Sequence, residues 1–281
     1  MSVDLHIHST ASDGTQAPQE IVAQAIALGL TAIALADHDT TAGTDAALAA
    51  AEGTGLTVVP ALEINTEVGP KDVHILGYYI DHTSPTLQSM LMDTREKRFD
   101  RAERILDKLR SVGVDLAMSL VQEHAAGAPI ARPHIAAALC TMGICKTSQE
   151  AFGRFLKRGR PAFVRRYKLS PEEAIRTVLD ACGVPVAAHP ALTRDDALIR
   201  GLIGAGLEGL EAYHVDHWPR DTQHYLALAQ ELDLLVTGGT DSHGPLGPKL
   251  VRMGSVPVPD DVLPPLRAAA DRRRAGIAQQ S

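Results

Sequence analysis

Val3-Asp4-Leu5-His6-Ile7-His8-Ser9-Thr10-Ala11-Ser12-Asp13-Gly14 alternates apolar and ionisable residues as far as His8, then turns small and polar. Val3–Ile7 reads as a short strand, and the Ser/Thr/Asp/Gly run at residues 9–15 as the loop that leaves it. His6 and His8 are one residue apart near the strand's end, so period-two geometry turns both imidazoles toward one side. Asp13 follows in the loop. A helix is expected from about Pro18 to Leu28, with Pro18 suited to its first turn and Gly29 to its exit.

The same unit then recurs. Thr31–Ala36 reads as an apolar strand ending at Asp37-His38-Asp39, and the alanine-rich Thr44–Glu52 as a helix. Leu56–Pro60 with the adjoining Ala61–Ile64 supplies another strand carrying Glu63, and His74–Tyr79 a further one. Residues 86–165 change character. Leu87–Leu109 is long and charged with apolar spacing, and His134–Thr141 and Gln149–Lys157 read as shorter helices. The expectation is a helical insertion or cap at 86–165, set into a domain made of 1–85 and 166–281. Beyond it, Ser170–Leu179 starts with the helix signal Ser-Pro-Glu-Glu, and Pro185–Ala188 is a strand leading into His189-Pro190. Ala197–Ile203, Gly209–Tyr213, Asp221–Leu232 and Leu235–Gly238 continue the rhythm up to Thr240-Asp241-Ser242-His243, and a last helix follows Leu263. No short-period repeat interrupts it. Mostly parallel strands alternating with helices fit a barrel or an open α/β sheet. In both, functional side chains gather where strand C-termini meet the following loops.

Composition narrows the chemistry. The chain has 281 residues, 45% of them hydrophobic, with a mean hydropathy of -0.03, as expected of a folded globular protein. Aromatics reach only 4%, which argues against a broad base-stacking surface. A formal charge of -7 disfavours a general polyanion-binding face, so stable binding of duplex nucleic acid is not expected and any phosphate recognition must be local. Cys140, Cys145 and Cys182 form no zinc-type cluster and read as reduced thiols. There is no signal-like opening and no membrane-spanning apolar run, so a cytoplasmic location without membrane contact is the expectation. No pattern specifies an oligomer.

Position is what singles out a site. His38, Glu63, His74, His189, Asp241 and His243 each lie at or just after an expected strand, as His6, His8 and Asp13 do. Six of the chain's 12 histidines fall at these junctions. Gathering so many ionisable groups without coordinating anything would be costly. Imidazole with carboxylate suits manganese, iron or zinc, whereas an all-oxygen shell would favour magnesium. Nine candidate ligands are too many for one tetrahedral site. They suffice for two divalent metal ions and, with Glu63 bridging, for three. Metal-activated solvent would be the nucleophile and the ions would neutralise a phosphoryl group. Asp4, Asp37 and Asp39 either orient imidazoles or cap strand ends. His82, His124, His217 and His224 receive no catalytic role.

Asp4-Leu5-His6-Ile7-His8, Ala36-Asp37-His38-Asp39, Leu62-Glu63-Ile64, Ala188-His189-Pro190 and Thr240-Asp241-Ser242-His243 together resemble, in order, the motifs of the polymerase-and-histidinol-phosphatase (PHP) superfamily. The resemblance implies an α/β fold, a distorted seven-stranded β/α barrel with a helical insertion and metals at its C-terminal mouth. It implies that His6, His8, Glu63 and Asp241 surround one metal, that Glu63 bridges to a second held by His74 and His189, and that Asp13, His38 and His243 complete a third. Some members have histidine where this chain has Asp13, which bears on third-site occupancy.

Arg132-Pro133-His134-Ile135-Ala136, Gly159-Arg160-Pro161-Ala162-Phe163-Val164 and Glu211-Ala212-Tyr213-His214 resemble the stand-alone bacterial branch acting on nucleotide phosphates. That likeness, over roughly residues 2–258, implies a nucleoside 3′,5′-bisphosphate or a short 5′-phosphorylated RNA as substrate. Arg132 offers a planar fork for phosphate and His134 a further donor. Arg160, Arg165 and Lys168 either add a local positive rim or form an ordinary solvated face, and His214 either protonates the departing oxygen or orients a group beside the metals. Two alternatives stay open: a small-molecule phosphatase, such as one acting on histidinol phosphate, and a non-catalytic metal-binding regulatory protein.

Overall fold

The computed structural model describes residues 2–165, 169–247 and 250–278, so Lys168 lies outside the described residues. The chain divides into two compact units. One combines residues up to Met90 with those from 168 onward, and the other is Leu91–Tyr167.

In the first unit, β1 (Ser2–Ile7), α1 (Pro18–Ala27), β2 (Ala32–Leu35), α2 (Thr44–Ala51) and β3 (Thr57–Val68) alternate as expected. β4 (Lys71–Tyr78) follows, and the 27-residue α3 (Pro85–Ser111) leads into the second unit, where α4 (Met118–Ala125), α5 (Arg132–Thr141) and α6 (Ser148–Ala151) lie. The first unit resumes with α7 (Pro171–Asp180), β5 (Val184–Ala187), α8 (Pro190–Thr193), α9 (Asp196–Ile203), β6 (Gly209–His214), α10 (Pro219–Glu231) and β7 (Leu235–Gly239). A two-residue β8 (Val258–Pro259) and α11 (Leu263–Ala278) complete it.

The eight strands form one sheet in the order β7-β6-β5-β4-β3-β2-β1-β8. The sheet curls until its far ends meet. The Asp241 N–H donates to the carbonyl of His6 at 2.8 Å and the His8 N–H to that of Ser242 at 2.9 Å, so the chain just past β7 ladders onto β1. Seven strands thus wall a near-closed, distorted β/α barrel. β8 pairs antiparallel with the start of β1. Gly239 permits the closure, since a Cβ there would stand 2.4 Å from the backbone nitrogen of His6. Val3, Leu5, Ala32, Ala34, Val59, Ala61, Val184 and Val186 pack together with Leu266, Ala269 and Ala270 of α11. Ile33 and Leu35 face the other way, onto Ile21 and Val22 of α1 and Ala47 of α2. This two-sided burial explains why the strands read as unbroken apolar runs.

One strand departs from the expected direction. β4 runs antiparallel to both β3 and β5. β3 is a single 12-residue strand that pairs with β4 from Ala61–Tyr78 to Val68–Lys71, turning through Gly69 at φ +60°. His74 is therefore not at a strand's C-terminal end. It stands in this hairpin, opposite Asn65.

The second unit has its own core, including Ile105, Leu109, Val121, Ile135, Leu139, Phe155 and Leu156. The helix expected at Gln149–Lys157 is α6 followed by a π turn over Phe152–Leu156. Among the described residues no helix is long and apolar enough to cross a membrane.

Candidate metal centre

The centre is assembled by strand irregularities as much as by strands. Val3–Ala32 and Asp4–Ile33 pair in step, but the next partner of Leu35 is Ile7, so Leu5 and His6 together stand opposite Ala34. This bulge resets the alternation. Leu5 joins the barrel's apolar interior, while His6 and His8 enter the ligand cluster and Ile7 turns toward α1. A second shift between Glu211 and Tyr213 in β6 does the same for Glu211 and His214. The 9–15 loop folds back on itself, with the Gly14 N–H on the carbonyl of Ser9 at 3.0 Å, and a Cβ at Gly14 would collide with the carbonyl of His8. That tight return brings Asp13 beside His8. His189 and Asp241 sit at φ 27° and 52°, in the left-handed region that non-glycine residues rarely occupy, as is common where a site fixes its ligands.

Glu63 lies at the centre, 1% exposed. Its Oε2 is 3.3 Å from His6 Nε2, 3.4 Å from His8 Nε2 and 2.9 Å from His38 Nδ1. Its Oε1 is 2.7 Å from His74 Nδ1 and 3.1 Å from His189 Nε2. Asp241 Oδ1 is 3.0 Å from His8 Nε2 and 3.6 Å from His6 Nε2. Asp13 reaches His243 Nε2 at 3.3 Å, His8 Nδ1 at 3.8 Å and His38 Nε2 at 4.0 Å. His6, His8, Glu63 and Asp241 thus form one group, and Asp13, His38, His243 and His8 a second. His74 and Glu63 group with His38, while His189 approaches the Glu63 oxygen that His74 also faces.

The donor set fits divalent cations. His6 Nε2, both nitrogens of His8, Glu63 Oε2, His189 Nδ1 and His214 Nε2 are buried and make no hydrogen bond within the protein. Leaving such groups unpaired is costly unless something else satisfies them. Two ligand atoms at about 2.1 Å from one ion stand roughly 3.0–3.4 Å apart at square or tetrahedral angles, and most of the separations around Glu63 fall near that range. The clusters can hold two or three divalent ions.

Charge balance in the centre is unusual. Burial alone would depress the His6 ring, yet Glu211, Glu63 and Asp241 raise its pKa well above the ordinary value. Burial likewise opposes charge on His38, but Glu63 and then Asp13 push it up to about 9. Burial would raise Glu63, and the rings of His38, His74 and His6 hold it well below the usual carboxylate range. Burial depresses His8, reinforced by His38. Metal uptake must therefore displace protons. At pH 7.5, below the raised pKa of His38, uptake of manganese or zinc is expected to release on the order of one proton per chain or more. As the pH rises through about 9, the contribution of the His38 ring to that release should shrink. Calorimetric titration in buffers of different ionisation enthalpy measures it, and heats independent of the buffer at pH 7.5 would contradict the picture.

Supporting residues separate into two kinds. Asp4 accepts from the Thr240 N–H at 2.9 Å, the Thr240 hydroxyl at 2.7 Å and the Gly254 N–H at 2.9 Å, fastening the loop that carries Asp241. Asp37 accepts from the N–H and hydroxyl of Ser9, each at 2.7 Å, and so holds the Asp13 loop. Asp39 accepts from Asn65, whose amide also meets His38 Nδ1 at 3.1 Å. Glu211 is the residue that the sequence reading left without a role. It is fully buried, with Oε1 2.9 Å from His6 Nδ1 and Oε2 accepting the His189 N–H at 2.7 Å. With Nδ1–H donated to Glu211, His6 presents Nε2 as its lone-pair nitrogen. The signal was present: a carboxylate inside the apolar run Gly209–His214 must have a partner. Glu211→Gln, whose amide cannot accept from both neighbours as well as a carboxylate does, is expected to weaken metal binding about 10- to 100-fold with the fold retained. Competition against a chelator measures this, and unaltered affinity would remove Glu211 from the centre.

His214 lies beside this group, its Nδ1 accepting from the Asp216 N–H at 3.1 Å and its Nε2 3.8 Å from Asp241 Oδ2. His217 donates from Nδ1 to the carbonyl of Ala212 at 2.9 Å and accepts from the Ala191 N–H, tying α8 to β6. His82, His124 and His224 pair with Asp45, Thr141 and Asp196. Arg132 and His134 open α5 in the second unit. Arg132 lies over the Phe152 ring, 5.6 Å from its centroid, with Nη1 3.4 Å from the carbonyl of Leu156, and His134 Nδ1 accepts the Ala131 N–H at 3.2 Å. Arg160 and Arg165 are exposed residues of the same unit.

A PHP domain model matches residues 4–142. The chain is 35% identical over 249 residues to a 5′-3′ exoribonuclease of Haemophilus influenzae, covering 87% of this chain and 90% of that one. It is 32% identical over 253 residues to a 3′,5′-nucleoside bisphosphate phosphatase of Chromobacterium violaceum, covering 87% and 88%. It is also 32% identical over 252 residues to a phosphoribosyl 1,2-cyclic phosphate 1,2-diphosphodiesterase of Eggerthella lenta, covering 88% and 96%.

Proposed function

The chain belongs to the PHP-domain family and is a metal-dependent phosphoesterase, and on that premise we propose that it hydrolyses the phosphate esters of nucleotides. Nucleoside 3′,5′-bisphosphates are the preferred substrates in this reading, with short 5′-phosphorylated RNA, shortened from its 5′ end, as the extended case. The observation that carries it is the convergence on Glu63 of buried His and carboxylate groups, several of them without a hydrogen bond in the protein, in a chain similar over 87% of its length to enzymes of both activities.

Manganese, iron or zinc bound there would supply a Lewis acid for the phosphoryl oxygens and an activated water. The chain's own residues do the rest. His214, beside Asp241 at the end of β6, gives a proton to the departing alcohol oxygen. Arg132 holds a substrate phosphate with its planar fork, and His134 adds a donor. Glu211 keeps His6 in the coordinating tautomer. In this reading the helical unit Leu91–Tyr167 contributes to substrate recognition through Arg132 and His134.

A second reading, cleavage of a smaller sugar phosphate, is favoured by the likeness to the cyclic-phosphate diesterase. Catalytic efficiency decides between them. The panel comprises a nucleoside monophosphate, a 3′,5′-bisphosphate, a short 5′-phosphorylated RNA, a ribose cyclic phosphate and histidinol phosphate, each with manganese, iron and zinc. The bisphosphate or the RNA is expected to lead under at least one metal. Equal or higher efficiency on the base-free substrates would overturn the proposal.

A further inference from the structure

The loop leaving β6 carries the chain's one tryptophan, and it is not in the core. Trp218 is 67% exposed, although a buried indole would contribute more to stability than nearly any other side chain. Its backbone is nevertheless firmly set. The His217 N–H donates to the carbonyl of His214 at 3.0 Å, and the Trp218 N–H to Asp221 Oδ2 at 3.0 Å. Pro219 then starts α10. The indole is thus presented from a fixed helix start rather than from a slack loop.

Its surroundings are those of a ligand platform. Trp218 is four residues beyond His214. With consecutive Cα atoms about 3.8 Å apart, the two lie within about 15 Å of each other, and the intervening turn shortens that. His217, between them, is tied by hydrogen bond to Ala191, two residues after His189, so the loop is bound to a second ligand-bearing junction. Leu192, also on α8, is 58% exposed. Arg194 and Arg220, with side chains 61% and 77% exposed, each approach Asp221 at 3.9 Å, the residue that also fixes the Trp218 backbone. An exposed indole with a fixed backbone, on the loop that leaves the strand carrying His214, suits a flat base to stack.

We infer that Trp218 is the platform on which the substrate's nucleobase stacks while its phosphate lies in the metal centre. This rests on the nucleotide reading and deepens it. A single stacking residue also accords with the low aromatic content, which leaves room for one base to be gripped but not a strand. Recognition is then tolerant of base identity, since every base has a π face.

Because Trp218 is the only tryptophan, the intrinsic fluorescence of the whole protein reports on it alone. The metal-loaded protein is titrated with AMP, ribose 5-phosphate and inorganic phosphate, with excitation at the red edge of the indole band. Saturable quenching by AMP, absent with the other two, is expected. In parallel, Trp218→Leu should raise KM for the nucleotide about tenfold with kcat changed less than about twofold, as befits the loss of one stacking contact. Trp218→Phe should recover most of the loss. The ratio of efficiencies on nucleotide and on ribose 5-phosphate should fall about tenfold in Trp218→Leu. If nucleotides are turned over well, yet AMP leaves the fluorescence unchanged and Trp218→Leu keeps that ratio, the platform is overturned while the nucleotide reading survives. If nucleotides are neither bound nor turned over, both fall. If the patch instead joins two copies of the chain, Trp218→Leu alters the sedimentation of the protein and not the ratio, which also overturns the platform.

Discussion

Asp241→Ala and His8→Ala are each expected to lower turnover by about a thousandfold or more, the equivalent of about 4 kcal/mol of transition-state stabilisation. Asp241 places one oxygen 3.0 Å from His8 Nε2 and 3.6 Å from His6 Nε2, and the other 3.8 Å from His214 Nε2. Removing its carboxylate takes away a candidate metal ligand and the negative charge that faces three rings. His8 faces Asp241 and Glu63 with one nitrogen and Asp13 with the other, so its loss depletes two ligand groups at once. Asp241 also holds φ 52°, so alanine there adds strain of about 1 kcal/mol. Asp241→Asn, which tolerates that backbone, separates strain from lost charge. The measurements are kcat, metal content and thermal midpoint on the same preparations. Reduced metal content with the fold intact is the expected result. Full metal content with unchanged kinetics in both alanine variants would strike both residues from the centre.

Arg132→Ala tests substrate recognition apart from metal binding. The residue lies in the other compact unit from the metal ligands, so their geometry should survive the change. Its guanidinium is steadied over Phe152 and by the carbonyl of Leu156, which would reduce the side-chain entropy lost on gripping an anion. Losing a charge-assisted fork should cost about 2–4 kcal/mol, or about 30- to 1000-fold in kcat/KM. If Arg132 holds a phosphate beside the reacting one, the loss is larger for a 3′,5′-bisphosphate than for a simple aryl phosphate. Arg132→Lys should restore only part, because an ammonium supplies charge without the planar pair of donors. Kinetics on both substrates at matched metal content decide it. Equal, negligible losses would return α5 to a purely structural role.

The element order was legible because strand, polar loop and helix alternate with clear local signals. Ser170 shows how local they are: its side chain accepts from the Glu173 N–H at 3.2 Å, as the Ser-Pro-Glu-Glu run anticipates. The direction of β4 was not legible. Leu56–Pro60, Ala61–Ile64 and His74–Tyr79 were visible as apolar runs, but nothing in a run states whether the next strand returns as a hairpin or crosses over. Pairing with β3 and β5 decides that. Glu211 is hard to read as a site residue because it sits inside a run, Gly209–His214, that reads as core.

By itself the sequence determined which residues could serve as ligands and that they would gather at one end of an α/β fold. Residue chemistry and proximity to a strand's end are local properties, and a chain shows them without folding. Only the tertiary structure decided which ligands meet. His6 and Leu5 are adjacent and should point opposite ways, and Glu211 and His214 differ by an odd number of positions. A bulge in β1 and another in β6 bring each ligand onto the needed side. A bulge exists only where a strand is matched against its neighbour, so its position belongs to the sheet rather than to the strand. Closure against Gly239 likewise depends on β1 meeting a strand more than two hundred residues away. The ligand list is therefore written along the chain, and its arrangement around Glu63 is set by the register of the barrel.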